Sequence, residues 1–79
     1  MKATVYVTIR QNVLDPQGKA VRDALASLGF GEVKDVRIGK YMELELATEN
    51  RAEAEARVRD MCEKLLANPV IEEYRFELS

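Results

Sequence analysis

No histidine occurs among the 79 residues. Ser-His-Asp and Cys-His nucleophilic systems are therefore excluded within one chain, as are histidine-based zinc sites, while carboxylate and lysine chemistry stay open. There is one cysteine, Cys62, so no internal disulfide can form, which fits a reducing compartment. Long apolar runs are missing too. Stretches such as Ala24-Leu25-Ala26 and Leu65-Leu66-Ala67 fall far short of the ~20 residues that span a bilayer. Met1-Lys2 leads into a short alternating segment rather than a signal-peptide core. No membrane partner is expected, and the chain reads as cytoplasmic. Nor is there a surplus of positive charge: 12 Lys and Arg stand against 14 Asp and Glu, a net charge of −2. No global basic field draws in nucleic acid, so none is expected as a partner. Neither a GxGxxG motif nor a Walker lysine loop is present, which argues against autonomous nucleotide binding.

What is there suffices for one core. The hydrophobic fraction of 47% and charged fraction of 33% are those of a soluble globular protein. Residues 1–79 are expected to form a single domain. A domain of this size buries only roughly 60–65% of the surface its unfolded chain exposes, which favours self-association.

Residues Lys2 to Arg10 alternate strictly, with Ala3, Val5, Val7 and Ile9 on one face, and so predict a half-buried strand. Asp15-Pro16 then supplies an acidic N-cap followed by proline at the first helical position. Val21, Leu25 and Leu28 recur at helical spacing until Gly29. Glu32 to Ile38 reads as a second strand, in which the parity of Val33 calls for a bulge or late start before Asp35. Met42, Leu44 and Leu46 alternate with Tyr41, Glu43 and Glu45 in a third strand. Asn50 and Glu53 match a reciprocal capping box. The helix after it is expected to bury Ala54, Val58, Met61, Cys62 and Leu65. Asn68-Pro69 ends that helix, and a last strand from Val70 to about Leu78 places Tyr74, Phe76 and Leu78 on one face. The order β-α-β-β-α-β predicts an α+β, ferredoxin-like split βαβ plan: an antiparallel four-stranded sheet with two helices on one face. The other face would carry Thr4, Tyr6, Thr8, Tyr41 and the strand glutamates, open to water or a partner.

Three groups carry possible chemistry. Cys62 lies on an apolar stripe without a histidine to activate it and reads as a core residue. Glu43 and Glu45 share a strand face about 7 Å apart. Such a pair can act as acid and base or bind a hard cation, and equally fits a solvated face. In Asp35-Val36-Arg37-Ile38-Gly39-Lys40-Tyr41, two cations flank a glycine. Arg37, Lys40 and nearby N–H groups could hold a phosphate or carboxylate, or could simply solubilise a strand connection. The glycine-aromatic pattern of an RNA-recognition module is absent, and Gln11-Asn12-Val13-Leu14 offers no acylphosphatase-like cradle beside Arg10.

Three blocks carry a resemblance: Val13-Leu14-Asp15-Pro16-Gln17-Gly18, Val36-Arg37-Ile38-Gly39-Lys40-Tyr41, and the run from Cys62 through Asn68-Pro69 to Tyr74. In order and spacing they resemble the small PurS subunits of phosphoribosylformylglycinamidine synthase, across nearly the whole chain. The resemblance implies a role in the fourth step of purine biosynthesis. There a synthetase subunit, a glutaminase subunit and the small subunit convert formylglycinamide ribonucleotide, glutamine and ATP to formylglycinamidine ribonucleotide, glutamate, ADP and phosphate. It implies a homodimer that joins the other two subunits and assists ammonia transfer. It also implies no catalytic residue, cofactor or metal on this chain, ATP and Mg being used by the synthetase. Asp15, Pro16, Gln17, Gly18, Arg37, Lys40 and Tyr41 are then the candidates for partner contact. Two other readings remain open: a ligand-sensing domain gripping an anion through Arg37 and Lys40, and a small enzyme using Glu43 and Glu45.

Overall fold

The computed structural model describes residues 1–79. Strand β1 (Lys2–Ile9), helix α1 (Pro16–Ser27), strand β2 (Gly39–Glu45), helix α2 (Arg51–Met61) and strand β3 (Glu72–Leu78) follow in that order. Helix α2 runs on into a π-helical turn over Cys62–Leu66. The sheet is antiparallel with order β2-β1-β3. It has three strands, not the expected four. Residues 32–38 are extended in sequence character but pair with no strand of this chain, and the outer edges of β2 and β3 stay unpaired within it.

Alternation decides the inner face. Ala3, Val5 and Val7 are fully or almost fully buried and face Val58 and Cys62, with Ala67 closing one end. Met42, Leu44, Leu46, Tyr74, Phe76 and Leu78 pack around this core half-buried. Helix α1 contributes nothing to it. Its one buried residue is Gly18, while Val21 is 39% and Leu28 73% exposed. The expectation of two helices packed on one sheet face is thus corrected: α2 covers the sheet and α1 projects from it, giving a molecule 49 Å long but only 14 Å deep. Val21, Leu25 and Leu28 share one side of α1 that this chain's sheet does not cover.

The caps behave as their chemistry requires. Asp15 accepts from Gly18 N–H at 2.9 Å, Pro16 opens α1, and Gly29 takes φ +98° just past its end. Asn50 accepts from Glu53 N–H at 3.0 Å, but the reciprocal bond is made by Thr48, whose hydroxyl takes Asn50 N–H at 3.1 Å. One further correction concerns Leu65, which is 83% exposed. The π turn, closed by Ala67 N–H to Cys62 O at 3.0 Å, inserts one residue into the period. Leu66 and Ala67 therefore turn inward and Leu65 turns outward.

Candidate functional site

The first two sequence blocks meet in space. The loop after β1 and the segment before β2 are locked together by a clasp at the base of α1. Asp15 is buried, and its second carboxylate oxygen accepts Ile38 N–H at 2.9 Å. The Ile38 and Gly18 amides hold this carboxyl below the usual aspartate range. Gly18 sits against the segment before β2: a Cβ there would collide with the Val36 carbonyl oxygen. Pro16 and Gln17 lie exposed in the first turn of α1.

Arg37 completes the clasp from the other side. Its guanidinium donates to the carbonyls of Gln11 at 2.7 Å, Val13 at 2.8 Å and Arg10 at 3.3 Å. Its buried Nε makes no hydrogen bond and lies 3.5 Å from the Asp35 carboxylate. The planar fork is thus committed to backbone oxygens rather than held out for an anion. Lys40 lies across the sheet, its ammonium 3.7 Å from Glu72 and half exposed. Arg37 and Lys40 accordingly serve different partners within the chain.

The glutamate pair fares similarly. Glu43 is bridged by the Lys2 ammonium and accepts the Tyr41 hydroxyl at 3.2 Å. The Lys2 hydrogen bond holds it below the usual range, with Lys2 raised in turn. A carboxylate so tied is poorly placed to accept a catalytic proton. Glu45 makes no ion pair, and no group of three ligating side chains gathers anywhere. Cys62 is fully buried and burial pushes its thiol up. In the third block, the Tyr74 hydroxyl donates to Glu63 at 2.7 Å, and Arg10 holds the Pro69 carbonyl at 2.7 Å.

Tyr41 stands on the outer face, 61% exposed, its ring edge to Tyr6 with centroids 5.5 Å apart. Arg75 completes this row, its guanidinium 3.9 Å from the Tyr6 ring centre. Arg75 was missed in the sequence, although the parity of Tyr74 and Phe76 on the inner face already sent it outward.

The likeness to known proteins spans nearly the whole chain. The family model for PurS, phosphoribosylformylglycinamidine (FGAM) synthase, matches residues 2–79. The chain belongs to the PurS family. It is 56% identical over 77 residues to the phosphoribosylformylglycinamidine synthase subunit PurS of Bacillus subtilis, covering 98% of this chain and 90% of that protein. The PurS of Archaeoglobus fulgidus is 46% identical over 74 residues, covering 94% and 92%. Among solved structures, B. subtilis PurS superposes with a TM-score of 0.87 at 56% identity, covering 96% of this chain and 94% of that one. A chain in the PurLQS structure from Thermotoga maritima gives 0.86 at 39% identity, covering 96% and 93%. The α+β architecture of the PurS family is therefore that of this chain.

Proposed function

We propose that this chain is the small, non-catalytic subunit of a phosphoribosylformylglycinamidine synthase, holding the glutaminase and synthetase subunits in register in purine biosynthesis. The observation that carries this reading is the PurS family match across residues 2–79. The ligase reaction belongs to the complex, and ATP and Mg act on the synthetase subunit. Two physical roles are open to such a subunit: bridging the partners through buried surface, and closing a water-excluding route along which ammonia escapes protonation.

The same reading includes a homodimer. Helix α1 leaves Val21, Leu25 and Leu28 without a core, and residues 32–38 without a strand partner. Beside β2, a groove of about 290 Å³ is lined by Leu44, Met61, Leu65 and Leu66. The apolar face of α1 from a second copy suits that groove in chemistry, and exchange would complete both cores at once. The clasp residues Asp15, Pro16, Gln17, Gly18 and Arg37 then act by aiming α1, while Lys40 and Tyr41 present exposed side chains for direct contact.

Mixing the chain with synthetase and glutaminase subunits and following glutamine-dependent product formation tests the subunit reading. Activity is expected to depend on the chain; equal activity in its absence would refute the assignment. The anion-sensor alternative is tested by titrating the isolated chain with amino acids and nucleotides, and tight saturable binding would favour it.

A further inference from the structure

The outer face of the sheet is the large surface that neither the core nor the clasp uses. Register sets its side chains in rows. Tyr41, Tyr6 and Arg75 stand side by side across all three strands. Next to them Gly39 faces Thr8 without a side chain, so the row borders an open concavity of about 540 Å³. Tyrosine and arginine are the types enriched where protein surfaces bury each other, and here they are already stacked, which lowers the entropy lost on contact.

The charges around the row select the partner. Four carboxylates, Glu43, Glu45, Glu73 and Glu77, share this face with two cations, Lys2 and Arg75. Lys2 pairs with Glu43, and Arg75 with Glu77 at 3.0 Å. Glu45 and Glu73, at diagonal corners, pair with no cation. A second copy would bring the same acidic surplus and be repelled, as would nucleic acid or an anionic lipid surface. A basic protein surface has the opposite charge, and an arginine on it could stack on the exposed Tyr41 ring between the two free carboxylates.

We infer that the outer sheet face docks a basic, arginine-presenting patch on one of the two larger subunits, with Tyr41, Tyr6 and Arg75 as its centre and Glu45 and Glu73 as its steering rim. This rests on the subunit reading above and assigns a surface to it.

The test compares the unsubstituted chain with the Glu45→Lys/Glu73→Lys double variant and with Tyr41→Ala. Binding to purified synthetase and glutaminase, separately and together, is measured across a salt series. Both variants should weaken binding to one of the subunits by about tenfold or more. For the charge reversal, the salt dependence should also flatten or invert. Self-association and the thermal midpoint of the isolated chain should stay unchanged. Binding by both variants as tight as that of the unsubstituted chain would overturn the surface assignment alone. A change in self-association without a change in subunit binding would also overturn it, by making this face a contact between copies. Failure of the unsubstituted chain to bind either subunit would bring down the subunit reading and the surface assignment together.

Discussion

Asp15 and Ile38 lie 23 positions apart, yet the Asp15 carboxylate accepts the Ile38 amide at 2.9 Å while its other oxygen accepts Gly18 N–H at the same distance. One side chain thus caps α1 and ties down the segment that leads into β2. Because those bonds lower the folded-state value from the ordinary 3.8, the unfolded chain takes up the proton first as pH falls. The contribution to stability is therefore complete above that ordinary value and is lost as pH drops through the lowered one. Asp15→Asn could keep the Gly18 bond only by turning its NH2 toward the Ile38 N–H. The variant should melt about 5 °C lower at neutral pH and show a flatter loss of stability below about pH 4. Superimposable acid-unfolding curves for the two proteins would contradict this role.

Arg37 serves the same clasp by shape as much as by charge. Its fork reaches three carbonyls of the loop after β1, the shortest at 2.7 and 2.8 Å. A lysine ammonium cannot span them in that geometry. Arg37→Lys should therefore destabilise nearly as much as Arg37→Ala, by about 1–3 kcal/mol, through carbonyls left short of donors. Urea unfolding gives the comparison. Recovery of full stability by lysine would show that charge alone matters there.

How much of this was legible in the sequence differs element by element. Strands β1 and β3 were readable from alternation, because one face of each is buried and the period is two. Helix α1 was readable as a helix, but a stripe such as Val21, Leu25 and Leu28 states only that a face is apolar, not which surface covers it. Glu32 to Ile38 has the residue types of a strand, but residue type does not decide pairing: β2 and β3 keep open outer edges, and the segment is held instead by Asp15 on the Ile38 amide and by Arg37 on the loop after β1. Leu65 faces outward because a π turn that nothing local announces breaks the period of 3.6. For the site, the outward parity of Tyr6 and Tyr41 was visible. The destination of Arg37 was not, since backbone carbonyls 24 and more residues away leave no mark in the residue pattern.

Cys62 should behave as packing, not chemistry. It is fully buried against Val5, Val7 and Val58 in one cluster, and its thiol is raised by that burial. A thiol reagent should label it only as fast as the chain unfolds. Cys62→Ser, which buries a hydroxyl in an apolar setting, should cost about 1–3 kcal/mol in chemical denaturation, with Cys62→Ala milder. Rapid labelling of the native protein would place the sulfur in reach of solvent and end this reading.

The proposed exchange of α1 between copies makes a sharper demand, because it separates the stability of one chain from the stability of the pair. Leu65 is 83% and Leu28 73% exposed in the single chain. Substituting either should therefore change the stability of the isolated fold by no more than about 0.5 kcal/mol. If the groove beside Leu65 receives the α1 stripe that ends at Leu28, Leu65→Asp and Leu28→Asp each place a charge in the same buried contact. Each should raise the dissociation constant of the dimer about tenfold or more, read by sedimentation equilibrium. The two effects should also be strongly non-additive, since either charge alone already empties the contact that both would disturb. Dimers of undiminished affinity in both variants would mean that α1 is covered elsewhere. Additive effects would mean that Leu65 and Leu28 lie in separate contacts.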